Sequence, residues 1–280
     1  MKIMRKPEWL KIKLPEGENF RKVDTIVKTH GLHTICSSGR CPNMGECWGN
    51  GTATFMILGD ICTRSCKFCN VKTGKPAPVN PEEPANLANS IHLMQLKHAV
   101  ITSVDRDDLP DKGASFWAET VLKIRELNPD TTLETLIPDF DAIPELLDKL
   151  IAVKPEIISH NLETVRRLTP QVRSRAKYNT SLKVIRYLAD NGINTKSGIM
   201  LGLGESEEEI FETMDDLLEA GCNILTIGQY LQPSHDHLDV NRYVTPEEFE
   251  HLKQVGLEKG FKFVESGPLV RSSYHAEKQI

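Results

Sequence analysis

The stretch Thr52-Ala53-Thr54-Phe55-Met56-Ile57-Leu58-Gly59-Asp60-Ile61-Cys62-Thr63-Arg64-Ser65-Cys66-Lys67-Phe68-Cys69 joins a short apolar run to three cysteines. The run Thr52–Leu58 is rich in β-branched and aromatic residues and is closed by glycine, which predicts a buried strand. The cysteines follow at once in a C-x3-C-x2-C spacing. Three thiolates on a tight loop can hold three irons of a [4Fe–4S] cube, because each iron takes one protein ligand; the fourth iron is left open. An electron carrier completes its four cysteines, whereas an open iron suits a site where a small molecule must coordinate. Structural zinc prefers four tetrahedral protein ligands, and only three stand here.

Outward from this segment, short apolar runs alternate with longer helical patterns. Further strands are expected at Ala99–Ser103, Thr131–Leu136, Ile157–His160, Thr195–Leu201 and Ile224–Gln229. Helices are expected near Glu83–Lys97, Ala114–Leu127, Ile143–Ala152, Leu182–Asn191, Glu207–Ala220 and Pro246–Lys259. Ser206 with Glu209, and Thr245 with Pro246 and Glu248, read as capping boxes at two helix starts. Six strand–helix units predict an α/β fold, a parallel sheet curled into a partial (β/α)6 TIM-like barrel. In such folds the functional loops follow the strands. The chemically loaded stretches do so: the cysteine loop, Ser103-Val104-Asp105-Arg106-Asp107-Asp108, His160-Asn161-Leu162-Glu163 and Gln229-Tyr230. The expected division is residues 1–51 as an N-terminal extension, 52–260 as the partial barrel and 261–280 as a C-terminal tail. Extension and tail are too short to bury cores of their own and should wrap the barrel.

A second cysteine triad, Cys36, Cys41 and Cys47, lies in the extension with C-x4-C-x5-C spacing. A strand of some seven residues, spanning roughly 23 Å, separates it from the first-quoted triad, so one compact cluster cannot be shared between them. Two clusters are expected, with Trp48-Gly49-Asn50-Gly51 letting the extension fold back. The seventh cysteine, Cys222, reads as a small core hydrophobe. The 280 residues are 39% hydrophobic and 26% charged with a formal net charge of −5, which gives no reason to expect nucleic acid as a partner. No run approaches the ~18 apolar residues of a membrane span, and the first residues lack a secretory apolar core, so a cytoplasmic location is expected. Reduced thiols there favour metal binding over disulfides. His235 and His237 read as a solvated loop in preference to a metal pair.

The C-x3-C-x2-C spacing with Phe68 before the last cysteine resembles the signature of the radical S-adenosylmethionine superfamily. Other motifs narrow the resemblance to its lipoyl synthase family: Lys6-Pro7-Glu8-Trp9-Leu10 with Lys13-Leu14-Pro15, Gly45-Glu46-Cys47-Trp48, Ile101-Thr102-Ser103-Val104-Asp105-Arg106-Asp107-Asp108, His160-Asn161-Leu162-Glu163-Thr164, Thr195-Lys196-Ser197-Gly198, Gln229-Tyr230-Leu231-Gln232-Pro233-Ser234 and Arg271-Ser272-Ser273-Tyr274. The resemblance implies two [4Fe–4S] clusters and S-adenosylmethionine. It implies that Cys62, Cys66 and Cys69 hold the catalytic cluster, and that Cys36, Cys41, Cys47 and Ser273 hold an auxiliary one consumed as sulfur donor. Ser272 is the neighbouring alternative to Ser273. Ser103, Asn161 and Glu163 are expected to bind S-adenosylmethionine.

The implied reaction inserts two sulfur atoms at carbons 6 and 8 of an octanoyl chain carried on a lysine. Those carbons bear no acidic proton, so a radical must remove each hydrogen. The implied partners are octanoylated lipoyl domains of 2-oxoacid dehydrogenase complexes or the glycine cleavage H protein, with ferredoxin or flavodoxin as electron donor. A monomer is expected. Rival readings are another two-cluster radical enzyme or a non-catalytic iron–sulfur carrier. Departures from the family pattern are Ser37-Ser38-Gly39, Arg175 and Asp239, none of them an implied metal ligand.

Overall fold

A computed structural model describes residues 5–12, 18–39, 41–49 and 52–279. Seven parallel strands form the sheet in chain order: β1 (Thr54–Ile57), β2 (His98–Ser103), β3 (Thr132–Leu136), β4 (Ile157–Ser159), β5 (Thr195–Leu201), β6 (Ile224–Gln229) and β7 (Phe263–Gly267). Helices α1 (Glu18–Thr29), α2 (Glu83–Met94), α3 (Ala114–Leu127), α4 (Pro144–Ala152), α5 (Tyr178–Asp190), α6 (Glu207–Glu219) and α7 (Pro246–Lys259) accompany them. The sheet is a partial, unclosed barrel: its edges are β7 and a two-residue strand, His33–Thr34.

The expected strands and helices all form, and both capping boxes are made in full, at Ser206 with Glu209 and at Thr245 with Glu248. Two differences matter. Phe263–Gly267, taken with the tail on sequence, is a seventh parallel strand paired with β6 from Phe263–Ile224 to Gly267–Gly228. As an edge strand only Val264 is buried, so it has no long apolar run to betray it. Strand β1 has four residues instead of seven, so a shorter length of extended strand separates the two cysteine regions.

The extension folds back by pairing His33 and Thr34 antiparallel to Met56 and Phe55. Trp48 is buried and stacks on Phe20 with ring centroids 5.2 Å apart. Val23, Val27, Cys36 and Trp48 share one apolar core with Phe55, Ile57 and Ile101 of the barrel. Extension and barrel therefore bury apolar surface together, at about 25 cal/mol per Å². Asn50 and Gly51, expected to help the reversal, and Lys13-Leu14-Pro15 lie outside the described residues. Cys222 is buried and its thiol faces the Ile224 carbonyl at 3.2 Å, as a core side chain.

Inside the barrel Lys196 on β5 and Glu134 on β3 form a fully buried ion pair at 2.9 Å, and Ser159 on β4 donates to Glu134 at 2.9 Å. The pair spans β4 and fixes three adjacent strands. Removing one partner strands the other charge without water, at a cost of about 3–5 kcal/mol. Lys196→Met should accordingly lower unfolding stability by that amount in a denaturant titration, while Lys196→Met/Glu134→Gln should recover most of it.

Candidate functional site

A cavity of about 900 Å³ opens at the carboxyl ends of the strands. Cys36, Cys41, Cys62, Cys66 and Cys69 line it, as do Ser103, Asn161, Glu163, Ser272 and Ser273. Two cysteines of one triad and all three of the other thus share one space despite their separation in sequence, while Cys47 is not part of its lining. A hydrogen bond links their loops directly, from Asn70 Nδ2 to the Ser38 carbonyl at 2.8 Å.

The loop Cys62–Cys69 is held by its own backbone and by Arg64. Its start pairs in parallel with Lys72–Thr73, and Thr63 N–H donates to the Asp105 carbonyl at 3.0 Å. Arg64 is buried and bonds Asp107 through Nε at 2.7 Å and Asp139 through Nη2 at 2.8 Å, with Asp105 at 3.3 Å. Asp105 and Asp107 follow β2 and Asp139 follows β3, so one guanidinium fastens the cysteine loop to two strand ends. Arg64 was not foreseen as a site residue; its place between two cysteines was the only signal. Arg175, a departure from the family pattern, joins the same charges by bonding Asp141 at 3.0 Å and approaching Asp107 at 3.6 Å. On the far side, Lys67 N–H donates to the Val172 carbonyl at 3.0 Å, and His237 Nε2 meets the Cys69 carbonyl at 3.0 Å. His237 is therefore a clasp on the loop, and Ser234 at 2.8 Å engages its other nitrogen. Asp239, another departure, accepts from Gln232 at 3.1 Å.

Cys36 sits on a one-turn helix, Ile35–Ser38, begun by Thr34, whose hydroxyl accepts from Ser37 N–H at 3.3 Å. Cys41 N–H donates to the Cys36 carbonyl at 2.9 Å, and Cys47 rides the helix Met44–Gly49. The tail closes over this triad. Asn43 donates to the Leu269 carbonyl at 2.7 Å, Thr54 Oγ1 to Ser273 Oγ at 2.7 Å, and Tyr274 Oη to Glu46 at 3.1 Å. Ser272 turns the other way and accepts from Asn161 Nδ2 at 2.6 Å. The two serines, adjacent in sequence, thus face different groups. Gly228 permits the packing, since a Cβ there would stand 2.1 Å from the Val270 carbonyl oxygen.

Burial pushes the Cys36 and Cys62 thiols up to about 11 and the Cys47 and Cys69 thiols up to about 12, with charge repulsion inside each triad adding to it. A bound cation is what makes such thiols thiolates, and binding releases their protons. Among the described residues no three His, Cys, Asp or Glu side chains converge as ligands of a single metal ion do.

The cavity wall includes polar side chains. Ser103 Oγ and Asn161 Oδ1 are buried there without a hydrogen-bond partner. Unmet buried groups of this kind cost about 1–3 kcal/mol each and await a ligand. Glu163 has a left-handed backbone, φ 69°, held by its N–H to the Gly198 carbonyl at 2.9 Å and its carbonyl to Met200 N–H at 2.8 Å. Its carboxyl is buried, which raises its pKa, while Arg173 and Asn161 lower it. Arg173, also unforeseen, is buried in the cavity wall and donates to Ser181 at 2.8 Å. A Cβ on Gly198 would stand 3.0 Å from Asn161 Oδ1, so glycine keeps that amide in place. The residues fit an amino acid with an ammonium, a carboxylate and hydroxyls nearby.

Comparison with known proteins follows the same lines. The Radical SAM superfamily model matches residues 56–217, and the model of the N-terminal domain of lipoyl synthase matches residues 1–41. Lipoyl synthase of Bacteroides fragilis (strain YCH46) is 65% identical over 279 residues, covering 100% of this chain and 97% of its own length. Those of Parabacteroides distasonis and Treponema denticola are 64% and 61% identical, covering 99% of this chain and 99% and 95% of their own. Among solved structures, methylornithine synthase superposes with a TM-score of 0.53 at 13% identity, covering 88% of this chain and 81% of that one. Streptococcus suis SuiB bound to its precursor peptide gives 0.58 at 13% identity over 93% of this chain and 55% of that longer one. These two likenesses concern the fold.

His160 reports on the barrel beneath the site. Burial depresses its pKa from 6.5 to about 4, and its ring bonds the Ile137 carbonyl at 2.9 Å and Ser181 at 2.8 Å. The unfolded chain takes up this proton first, so the contribution is complete above pH ~6.5 and is lost as pH falls toward ~4. Its full size is on the order of 3 kcal/mol at 1.36 kcal/mol per unit. Unfolding stability measured from pH 7 to pH 5 should fall more steeply for the wild type than for His160→Gln.

Proposed function

The chain belongs to the lipoyl synthase family of the radical S-adenosylmethionine superfamily, and on that premise we propose how its residues divide the work. It is a sulfur-inserting enzyme that uses S-adenosylmethionine and two [4Fe–4S] clusters and acts on lipoyl-domain substrates. The single observation that carries the division of labour is that cysteines of both triads (Cys36 and Cys41 of one, Cys62, Cys66 and Cys69 of the other) line one cavity whose wall also holds the partnerless Ser103 Oγ and Asn161 Oδ1.

Cys62, Cys66 and Cys69 hold the cluster that takes S-adenosylmethionine. Cys36, Cys41 and Cys47 hold the auxiliary cluster, and Ser273 completes its ligands. The contacts favour Ser273 over Ser272, because Ser273 bonds Thr54, whose backbone amide lies against the Cys36 thiol, while Ser272 bonds Asn161. An alkoxide is a hard, weakly held partner for iron in a sulfur site, which suits a cluster that must open. When bound, the clusters and S-adenosylmethionine supply radical hydrogen abstraction and the inserted sulfur. Ser103, Asn161 and Glu163 orient the cofactor: Glu163 accepts from its ammonium or ribose, Ser103 and Asn161 fill their open valences on it, and Arg173 offers a guanidinium to its carboxylate. The extension, tail and barrel wall would shield the space between the two ligand sets from water, as such chemistry requires.

The substrate arm enters the cavity past Lys6, Lys11 and Ile12, which line it and are exposed. The acceptors are octanoylated lipoyl domains of 2-oxoacid dehydrogenase complexes or the glycine cleavage H protein. Ferredoxin or flavodoxin supplies electrons, and the enzyme works as a cytoplasmic monomer. Among the described residues no helix is long and apolar enough to cross a membrane. The sequence division into extension (1–51), barrel (52–260) and tail (261–280) is kept as a division of ligands: the first and last parts serve the auxiliary cluster.

Iron and sulfide analysis of anaerobically reconstituted protein tests the assignment. Wild type should hold about eight irons, at four per cube; Cys36→Ala/Cys41→Ala/Cys47→Ala should hold about four and still release 5′-deoxyadenosine. Equal iron in both proteins would remove the first triad from the ligand set. Asn161→Ala should keep about eight irons and weaken S-adenosylmethionine binding about tenfold, equivalent to about 1.4 kcal/mol for a lost hydrogen bond.

A further inference from the structure

Arg173 is buried in the cavity wall, and among the described residues it forms no ion pair. Its Nη1 donates to Ser181 Oγ at 2.8 Å and to the Leu162 carbonyl at 3.4 Å, the only hydrogen bonds of this side chain among the described residues. A guanidinium has five N–H groups and stays charged in proteins, so Nε and Nη2 are left with a charge and no protein acceptor.

Two sets of contacts fix where that charge stands. The residues on either side of Arg173 hold the cysteine loop: the Val172 carbonyl accepts from Lys67 N–H at 3.0 Å, and Ser174 Oγ accepts from Ser65 N–H at 3.1 Å and lies 3.7 Å from Cys66 Sγ. Behind the guanidinium runs a chain of hydrogen bonds through buried side chains. Ser181 Oγ, on α5, lies 2.8 Å from His160 Nε2, and His160 Nδ1 lies 2.9 Å from the Ile137 carbonyl. A carbonyl only accepts, so Nδ1 carries the ring hydrogen and Nε2 of the neutral imidazole accepts. Ser181 therefore receives from Arg173 and gives its own hydrogen to His160. Ser181 and His160 are both buried, where water does not compete for these bonds.

We propose that Ser181 and His160 are positioning residues that aim Arg173, while Val172 and Ser174 tie it to the cysteine loop. The guanidinium and the three thiols of that loop are thereby presented to one small molecule in a fixed register. A chain of bonds that ends on a backbone carbonyl leaves the guanidinium little freedom to swing, so its open edge is set before the ligand arrives. The anion it takes is the carboxylate of the cofactor's amino-acid part, and the proposal rests on that assignment, given above.

Its test is a double-mutant cycle on anaerobically reconstituted full-length protein, with S-adenosylmethionine affinity measured by equilibrium dialysis without reductant and iron content measured in parallel. Ser181→Ala should keep about eight irons, at four per cube, and bind the cofactor about tenfold more weakly. Its release of 5′-deoxyadenosine at saturating cofactor should stay within about twofold of wild type, since aiming acts on binding. In an Arg173→Gln background the same change should cost less than about twofold, because no guanidinium is left to aim. Ser181→Thr, which keeps the hydroxyl, should stay within about threefold of wild type. Wild-type affinity in Ser181→Ala, or an equal loss with and without Arg173, overturns the proposal. If Ser181→Ala loses iron, the cycle is run with His160→Gln: a loss of affinity that depends on Arg173 supports the relay, and one that does not overturns it. An Arg173→Gln protein that binds the cofactor like wild type defeats the assignment of Arg173 to the carboxylate instead, and the proposal with it.

Discussion

Arg64, buried between Asp105, Asp107 and Asp139, is the constraint on which the placement of the second cysteine triad depends. A loop carrying three thiols has little apolar surface of its own to bury. It is held instead by a charge that cannot leave without stranding its partners in low dielectric. The three carboxylates do not respond alike. Burial and the neighbouring Asp139 and Asp107 raise Asp105 to about 6 against the pull of Arg64, whereas the Arg64 hydrogen bond lowers Asp139 to about 2 against burial. Asp105 is also the carboxylate nearest the Cys62 thiol, so the device that anchors the loop also sets its electrostatic surroundings. Lys112 and Arg175 spread the remaining negative charge toward solvent through Asp107 and Asp141.

What Arg64 does for one triad, the two ends of the chain do for the other. The extension reaches the first barrel strand through His33 and Thr34, and its Trp48 joins the barrel core. The tail follows the seventh strand and lays Ser272 and Ser273 on opposite sides of the boundary between the triads. Chain ends far apart in sequence thereby complete one wall of the cavity. The arrangement brings cysteines from two triads divided by a strand to one cavity.

Much of this was legible before any coordinates. Thr195–Leu201 and Ile224–Gln229 agree with their expected bounds to the residue: each is a short segment set between a helix and a polar loop, and almost every residue in it is buried. Phe263–Gly267 was missed because an edge strand needs to bury little, and it sits between a glycine-ended helix and a proline. Helix α5 begins at Tyr178, earlier than the expected Leu182, because Lys177 provides no side-chain cap to mark the start. The grouping of six cysteines into two local sets was readable from spacing, since each set lies within a dozen residues of sequence. The Arg64 cluster was not, because sheet order alone brings Asp105 and Asp139 to the same guanidinium. Nor could spacing separate Ser272 from Ser273, whose difference lies in which neighbour each hydroxyl meets.

The most direct test follows the sulfur. The enzyme would be reconstituted with heavy-isotope sulfide, freed of excess sulfide, and given S-adenosylmethionine, reductant and an octanoylated lipoyl domain, with the product weighed by mass spectrometry. Two heavy sulfur atoms per modified domain, and none with Cys36→Ala/Cys41→Ala/Cys47→Ala, is the result this structure predicts. Light sulfur in the product, or sulfur insertion that survives loss of the first triad, would contradict it.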